Sequence, residues 1–310
     1  MIEYKYRWWL VKKILYFVVF ILLFSLTFYY KEDILIYYNK YLSNTKQVPT
    51  SLEKNEYYRN YNFKYVANTD NFTPNTKQDI LNIYYTIINS GMENFTFYCP
   101  DTYDTCLDDV KDVAYNKTVL SNINDFVHPY NSFNQIETSF DSLGEINIKV
   151  VHNYTEEMEI ILNYKIDEII KNEITDEMDA VNKILIIHDY IINNTKYDQN
   201  RSDKNIFEYK SNNAYGVLIE GYGICSGYTD SMMLFLEKLN IKSHKVSSEN
   251  HVWNKVFINN NWYNIDLTWD DPVNSDGSDS LEHTFFLVND DEMLKNDKTE
   301  HIYNEDVYKN

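Results

Sequence analysis

Residues 14–30 form an unbroken apolar and aromatic run, interrupted only by Ser25 and Thr27, whose hydroxyls can bond back to a helix. At about 1.5 Å rise per residue, these 17 residues nearly cross a hydrocarbon core. Lys5, Arg7, Lys12 and Lys13 precede the run. Trp8 and Trp9 on one side, and Tyr29 and Tyr30 on the other, sit where interfacial belts are found. The basic flank should stay cytoplasmic and place everything after Lys31 outside. Phe28-Tyr29-Tyr30-Lys31 offers no small-residue cleavage site, so the run reads as an uncleaved signal anchor rather than a removed leader. A buried core helix is disfavoured, because no periodic polar face breaks the run.

The rest of the 310 residues can hold one or two domains, and a hydrophobic content of 44% allows a sizeable core. The 29 tyrosines can fill core space while keeping a polar tip at the surface. A net charge of −19 argues against phosphate-backbone binding, so no nucleic-acid partner is expected. The organisation read from the chain is a basic flank over 1–13, the anchor over 14–30 and a linker over 31–56, polar from Asn44 and containing Pro49. An α/β region over 57–171 and a final domain over 172–310 follow. Helices are expected over Gln78–Asn89 and Thr155–Lys171, and strands over Asn134–Phe140 and Glu145–His152 joined by a turn at Asp141–Gly144. A further helix should begin at Asp176 and end near Asn193-Asn194, with His188 on its apolar face as a satisfied core histidine. Residues 199–213 are polar and read as a surface excursion.

The chemistry-bearing residues lie in the last domain. Gly216, Gly221 and Gly223 allow sharp turns and close approach before Cys225, which opens a helix with Tyr228, Met232, Phe235, Leu236 and Leu239 as its buried stripe. Asn240 is placed to cap its carboxyl end. A thiol at a helix amino terminus feels the partial positive charge of free N–H groups, which favours thiolate, and the same groups can hold an oxyanion. Cys99 and Cys106 flank a short polar loop; paired, they leave Cys225 as the odd thiol, and reduced they leave three free thiols. His251 to Ile258 and Trp262 to Leu267 alternate as two strands around Asn259-Asn260-Asn261. With Asn259-Asn260 as a two-residue turn, Ile258 faces Asn261, Trp253 faces Asp266, and His251 is a same-face diagonal neighbour of Asp266. A three-residue loop would put the two on opposite faces. Asn-Asn tolerates the positive φ angles of a type I′ turn. Asp266, within an otherwise apolar and aromatic strand, needs a buried partner.

From Ala180 to Pro272 the chain resembles the transglutaminase-like superfamily, whose catalytic core is papain-like. The matching pieces are Ile187-His188-Asp189-Tyr190, Ala214-Tyr215-Gly216-Val217-Leu218, Gly223-Ile224-Cys225-Ser226-Gly227-Tyr228, His251-Val252-Trp253-Asn254, and Asp266-Leu267-Thr268-Trp269-Asp270-Asp271-Pro272. The resemblance implies an α+β fold in which a cysteine-bearing helix packs on an antiparallel sheet. It also implies Cys225 as nucleophile, His251 as base and acid, and Asp266 as the orienting group. Tyr215, Tyr222 and Trp253 are the candidates for substrate or oxyanion contacts. The region before residue 172 looks like the extension ahead of this core in membrane-anchored bacterial members.

Other chemistries find little purchase. No histidine falls in HExxH or another zinc spacing, so no metal or cofactor is expected. Asn274-Ser-Asp276-Gly277-Ser-Asp279 hints at a calcium loop, but its first and last ligand positions would be Pro272 and His283, which fails the EF-hand pattern. The expectation is therefore a membrane-anchored, extracytoplasmic cysteine enzyme acting on peptide or side-chain amides of cell-envelope substrates. Hydrolysis is favoured over cross-linking. The competing expectation is a non-catalytic envelope-binding module on the same scaffold.

Overall fold

The computed structural model describes residues 2–43, 52–60, 62–141, 144–273 and 280–309. The centre of the Asp141–Gly144 turn, most of the polar part of the expected linker and the Asn274–Asp279 stretch lie outside the described residues. Helix α1 (Ile2–Tyr29) contains the stretch Val11–Tyr29, 19 residues that are entirely unburied. At about 1.5 Å per residue this stretch is about 28 Å long, long and apolar enough to cross a membrane. Ser25 Oγ donates to the Ile21 carbonyl and Thr27 Oγ1 to that of Phe24, so neither hydroxyl is left without a partner in the apolar run. Helix α2 (Lys31–Ser43) follows.

The remainder is a mixed α+β arrangement with two antiparallel sheets. Helix α3 (Lys77–Asn89) starts at a reciprocal cap: Thr76 accepts from the Asp79 N–H, and the Asp79 carboxylate accepts from the Thr76 N–H. Such a cap stabilises a helix by about 1 kcal/mol. Strand β1 (Asn94–Tyr98), helices α4 (Cys106–Tyr115) and α5 (Lys117–Asn124), and strands β2 (Phe133–Phe140) and β3 (Glu145–His152) come next. The three strands pair in the order β1-β3-β2. Alternation points Phe95, Phe97, Ile146, Ile148 and Val150 inward. A disulfide joins Cys99, past the end of β1, to Cys106 at the start of α4, with Cα atoms 5.7 Å apart.

Helix α6 (Glu156–Glu173), capped by Thr155, leads to α7 (Ala180–Asn193). The latter begins four residues later than Asp176, because the Asp179 side chain accepts the Asn182 N–H and sets the start. Strand β4 (Lys196–Tyr197), helix α8 (Gln199–Lys204) and strand β5 (Tyr222–Gly223), which pairs parallel with β4, precede α9 (Cys225–Lys238). The 199–213 segment is therefore no simple surface excursion: it contains α8, and Ser211 is fully buried against the start of α9. Strands β6 (Ser243–Ser247), β7 (Val252–Ile258) and β8 (Asn261–Ile265) form the second sheet, in that order, with α9 packed on β6 and β7. Helices α10 (Asp290–Asn296) and α11 (Glu305–Tyr308) close the chain.

Asn259 and Asn260 hold φ of 51° and 65°, the left-handed region that a type I′ turn requires. Ile258 consequently pairs with Asn261, and the ladder runs back to Asn254 opposite Ile265. One further step brings Trp253 level with Asp266, which lies just past the end of β8 rather than inside it.

Two hydrophobic clusters fill the interior, and neither is confined to one stretch of sequence. The first gathers α3, α4, α5 and the first sheet, but also Val246 and Trp253 from the second sheet and Val307 and Tyr308 from α11. The second gathers α6, α7 and α9, and includes Tyr130. A polar knot ties these parts together. Tyr308 Oη donates to Asp125 Oδ2 at 2.6 Å and accepts the Ser247 N–H at 3.0 Å, while Ser247 Oγ donates to Asp125 Oδ1 at 2.9 Å. Burial pushes the Asp125 carboxyl up to about 6, against the lowering pull of Lys245 and these donors. Because the folded value is raised, the stabilising contribution of Asp125 is largest below the ordinary carboxylate range and is lost as pH rises through about 6.

Tyr308→Phe should lower unfolding free energy by about 1–3 kcal/mol, since a buried carboxylate loses a donor. Denaturant melts of the full chain in detergent measure this. Reducing the Cys99–Cys106 disulfide should cost about 2–3 kcal/mol in the same assay, the loop-closure value for so short a crosslink.

Candidate active site around Cys225

Cys225 is the first residue of α9, and Ile224 before it is extended and provides no side-chain cap. Gly227 and Tyr228 donate their N–H groups to the Ile224 carbonyl, so the opening N–H groups of α9 left without a partner within the helix are those of Cys225 and Ser226. The segment before the helix is clamped tightly. Ile224 donates its N–H to the Ser211 carbonyl at 2.9 Å, and Ser226 Oγ donates to the Asn212 carbonyl at 2.9 Å. A Cβ on Gly227 would stand 2.3 Å from the Ser211 carbonyl oxygen, so only glycine permits this approach. Ser211 in turn donates to Asp198 Oδ2 at 2.7 Å, and Asp198 Oδ1 caps α8 through the Arg201 N–H.

His251 immediately precedes β7, held by a turn in which Ser248 N–H donates to its carbonyl and its own N–H donates to Ser248 Oγ. Its ring stacks on Trp253, with centroids 5.9 Å apart and 18° between the planes. His251 Nε2 lies 2.5 Å from Asp266 Oδ2. Cys225 and His251 line the same cleft, and the thiol lies near enough to the ring to help hold its proton. The structure thus brings Cys225, His251 and Asp266 together, through the hairpin register that Asn259 and Asn260 set. Cys225 is partly exposed and is the one free cysteine among the described residues.

The electrostatics follow from burial and pairing. Burial pushes the His251 imidazole down, but the Asp266 charge and hydrogen bond, joined by Cys225, outweigh it and hold the ring well above its ordinary 6.5. Burial likewise pushes the Asp266 carboxyl up, and the charge of His251 with hydrogen bonds from His251 and His301 reverses this, keeping it well below the usual carboxylate range. Asp266 Oδ1 accepts the N–H groups of Thr268 and Trp269 at 2.9 and 3.3 Å. The rest of this segment is similarly committed. Asp270 accepts from His188 Nε2 at 3.1 Å, and Asp271 accepts from the Tyr228 hydroxyl on α9. His188 is wholly buried, with its other nitrogen 2.9 Å from Asp189, in keeping with a satisfied core histidine.

A cleft of about 430 Å³ opens over the thiol, lined by Tyr197, Gln199, Asn250, His251, Trp269, Asp271 and Glu300 among others. Tyr215, Tyr222 and Trp253 do not line it. Trp253 is fully buried and its indole N–H is donated to Asn264 Oδ1 at 2.9 Å, so that donor is spent inside the sheet. Tyr222 stacks face to face on Tyr209 at 3.9 Å, and Tyr215 lies beneath the Lys210 ammonium. Among the described residues, two clusters place ligand-type atoms within metal-binding reach: His188, Asp189 and His283, and His251, Asp266 and His301. In both, the nitrogens already contact the carboxylate at hydrogen-bond distance.

His301 is the functional-site residue that sequence reading missed. It lies 35 residues beyond Asp266 and contacts it only because the chain after β8 folds back over the hairpin. Local pattern offers only a turn signature at Asp297 and Thr299.

No curated protein matches the chain. Two solved structures show local likeness. One is a TGase, 16% identical, with 46% of each chain covered and a TM-score of 0.35. The other is a candidate cysteine protease from Cytophaga hutchinsonii, 15% identical, with a TM-score of 0.27, covering 43% of this chain and 61% of that one. The chain therefore spans about half to three fifths of the length of these proteins. Residues 168–267, which hold Cys225, His251 and Asp266, match the family described as the transglutaminase-like superfamily, so this stretch of the chain is a transglutaminase-like domain.

Proposed function

We propose that this chain is a membrane-anchored, extracytoplasmic thiol enzyme that cleaves or transfers peptide or side-chain amides through a Cys225 thioester. The observation that carries the reading is the 2.5 Å contact between His251 Nε2 and Asp266 Oδ2 at the floor of the cleft into which Cys225 opens. In this mechanism Cys225 gives its proton to His251, and the sulfur attacks the amide carbonyl carbon. The opening N–H groups of α9 receive the oxyanion. His251 returns the proton to the departing amine as the C–N bond breaks, leaving a thioester. Asp266 stays ionised throughout; it orients the ring and stabilises its cation.

Water or a second amine then releases the acyl group. Cys225 is partly exposed in an open cleft, which supports hydrolysis as the main outcome. Two features support the location. Lys12 and Lys13 stand at the start of the apolar stretch, where basic residues mark the cytoplasmic side. The Cys99–Cys106 disulfide fits an oxidising compartment. The substrates expected there are peptides or proteins of the cell envelope.

Incubating the full chain in detergent with envelope peptides, then acid-quenching, should trap an acyl group on the Cys225 peptide by mass spectrometry. Cys225→Ala should abolish the adduct, thiol-probe labelling at neutral pH and all turnover; undiminished turnover in that variant would sink the mechanism. Asp266→Asn should lower turnover by about 10⁴-fold. It should also move the alkaline limit of thiol alkylation downward. Asp266 raises His251, so the thiolate–imidazolium pair persists above 6.5 and is lost as pH rises through the raised value. Without the carboxylate that loss comes at lower pH. An alkaline limit unchanged by Asp266→Asn contradicts the assigned role.

A further inference from the structure

The Asp266 carboxylate serves two histidines. Its Oδ2 takes His251 Nε2 at 2.5 Å and His301 Nε2 at 2.9 Å, while its Oδ1 takes two backbone N–H groups. All four of its acceptor positions are therefore used. His301 is completely buried, edge-on to His251 with ring centroids 5.3 Å apart, and boxed by Trp253, Trp269 and Phe285. Its second nitrogen, Nδ1, lies 2.8 Å from Asp297 Oδ2. Asp297 is itself saturated: it accepts from the Thr299 hydroxyl at 2.6 Å and from the N–H groups of Thr299, Glu300 and His301.

Both ring nitrogens of His301 thus face a carboxylate. A neutral imidazole has one N–H and one lone pair. Neither flanking carboxylate has a proton to offer, since each is surrounded by donors. A neutral ring would set its lone pair against a carboxylate in a site closed to water, which is costly. With both nitrogens protonated, both contacts become charge-assisted hydrogen bonds.

We propose that His301 is a positioning residue for the reaction: an imidazolium anchored by Asp297, it shares the Asp266 carboxylate with His251 and so weakens that carboxylate's hold on the His251 proton. The inference rests on the thiol-enzyme reading above and deepens it. A lone carboxylate would bind the His251 proton tightly enough to slow its delivery to the departing amine. A second cation on the same oxygen divides that attraction, leaving His251 able to take the proton and give it back. The other titratable groups close by are already committed. Asp270 holds His188, Asp271 takes the Tyr228 hydroxyl, and Lys255, Asp290 and Tyr303 form a separate cluster beyond Trp253. Glu300, next to His301, lies on the rim of the cleft.

The test needs no substrate. The rate of iodoacetamide alkylation at Cys225 is followed against pH on the full chain in detergent. A thiolate–imidazolium pair gives two inflections, thiolate formation on the acid side and loss of the His251 proton on the alkaline side. His301→Gln keeps an N–H donor toward Asp266 and removes the charge. An elementary charge about 5 Å away, at an effective dielectric of about 20, is worth one pH unit or more, so the alkaline inflection should rise by at least about one unit. This is opposite in sign to Asp266→Asn. Should His301→Gln fail to fold by circular dichroism, Asp297→Asn decides, because it removes the anion that sustains the charge and should also raise the inflection. An alkaline inflection that stays in place or falls in the folded variant overturns the proposal, leaving His301 a neutral spacer. A wild-type profile with one inflection instead of two removes the thiol–imidazole reading itself, and this inference with it.

Discussion

Helix α9 is enclosed along almost its whole length, and this burial governs how the other elements are arranged. From Gly227 to Leu236 every side chain is hidden, including those on the face opposite the expected stripe. A helix so enclosed leaves its polar groups no recourse to water, so each must be paired. Asp230 shows the consequence: it accepts from Lys245 on β6 at 3.1 Å and from the Tyr154 hydroxyl at 2.7 Å, and Tyr154 in turn accepts the Ala214 N–H. Breaking such a buried pair from one side leaves an uncompensated charge, whose cost is several-fold that of a surface pair. The helix is thereby locked to the sheet and to the segment before it. Its amino end is where backbone donors meet the cleft, and Cys225 stands there.

The short segment Asp266–Pro272 applies the same logic to anions. Three carboxylates lie within six residues, all buried, and each is directed to a different element: Asp266 to the histidines, Asp270 to α7 through His188, and Asp271 to α9 through Tyr228. Like charges this close would repel if they shared surroundings. Separate partners disperse them, and the segment becomes a strut that fixes α7, α9 and the hairpin relative to one another. The geometry around the thiol thus depends on residues that never touch it.

Much of this was written locally in the sequence. The apolar run, the pairing of β2 with β3, the thiol at a helix start and the hairpin register all follow from periodicity and turn chemistry within a dozen residues. Asn259-Asn260 was decisive, because side-chain tolerance of positive φ selects the turn and the turn selects the face. What local pattern could not supply was anything built by distant folding back. The start of α7 shifted because Asp179 outcompeted Asp176 as a cap. Ser211 looked like a surface residue because its burial comes from α9. Trp253 looked like a substrate contact because its commitment to Asn264 is made across the strand pair. His301 gave no signal, since its partner lies 35 residues earlier.

The pairing of Cys99 with Cys106 has a consequence for the durability of the thiol. The chain has three cysteines, so with two tied in a disulfide no resolving thiol remains in the same molecule. A sulfenic acid formed on Cys225 by peroxide would have no intramolecular partner with which to condense. It would wait for a small-molecule or protein reductant, or advance to the sulfinic state, from which ordinary thiols do not return it. The lifetime of the free Cys225 thiol is therefore set by the reducing capacity of its surroundings as well as by the stability of the fold around it.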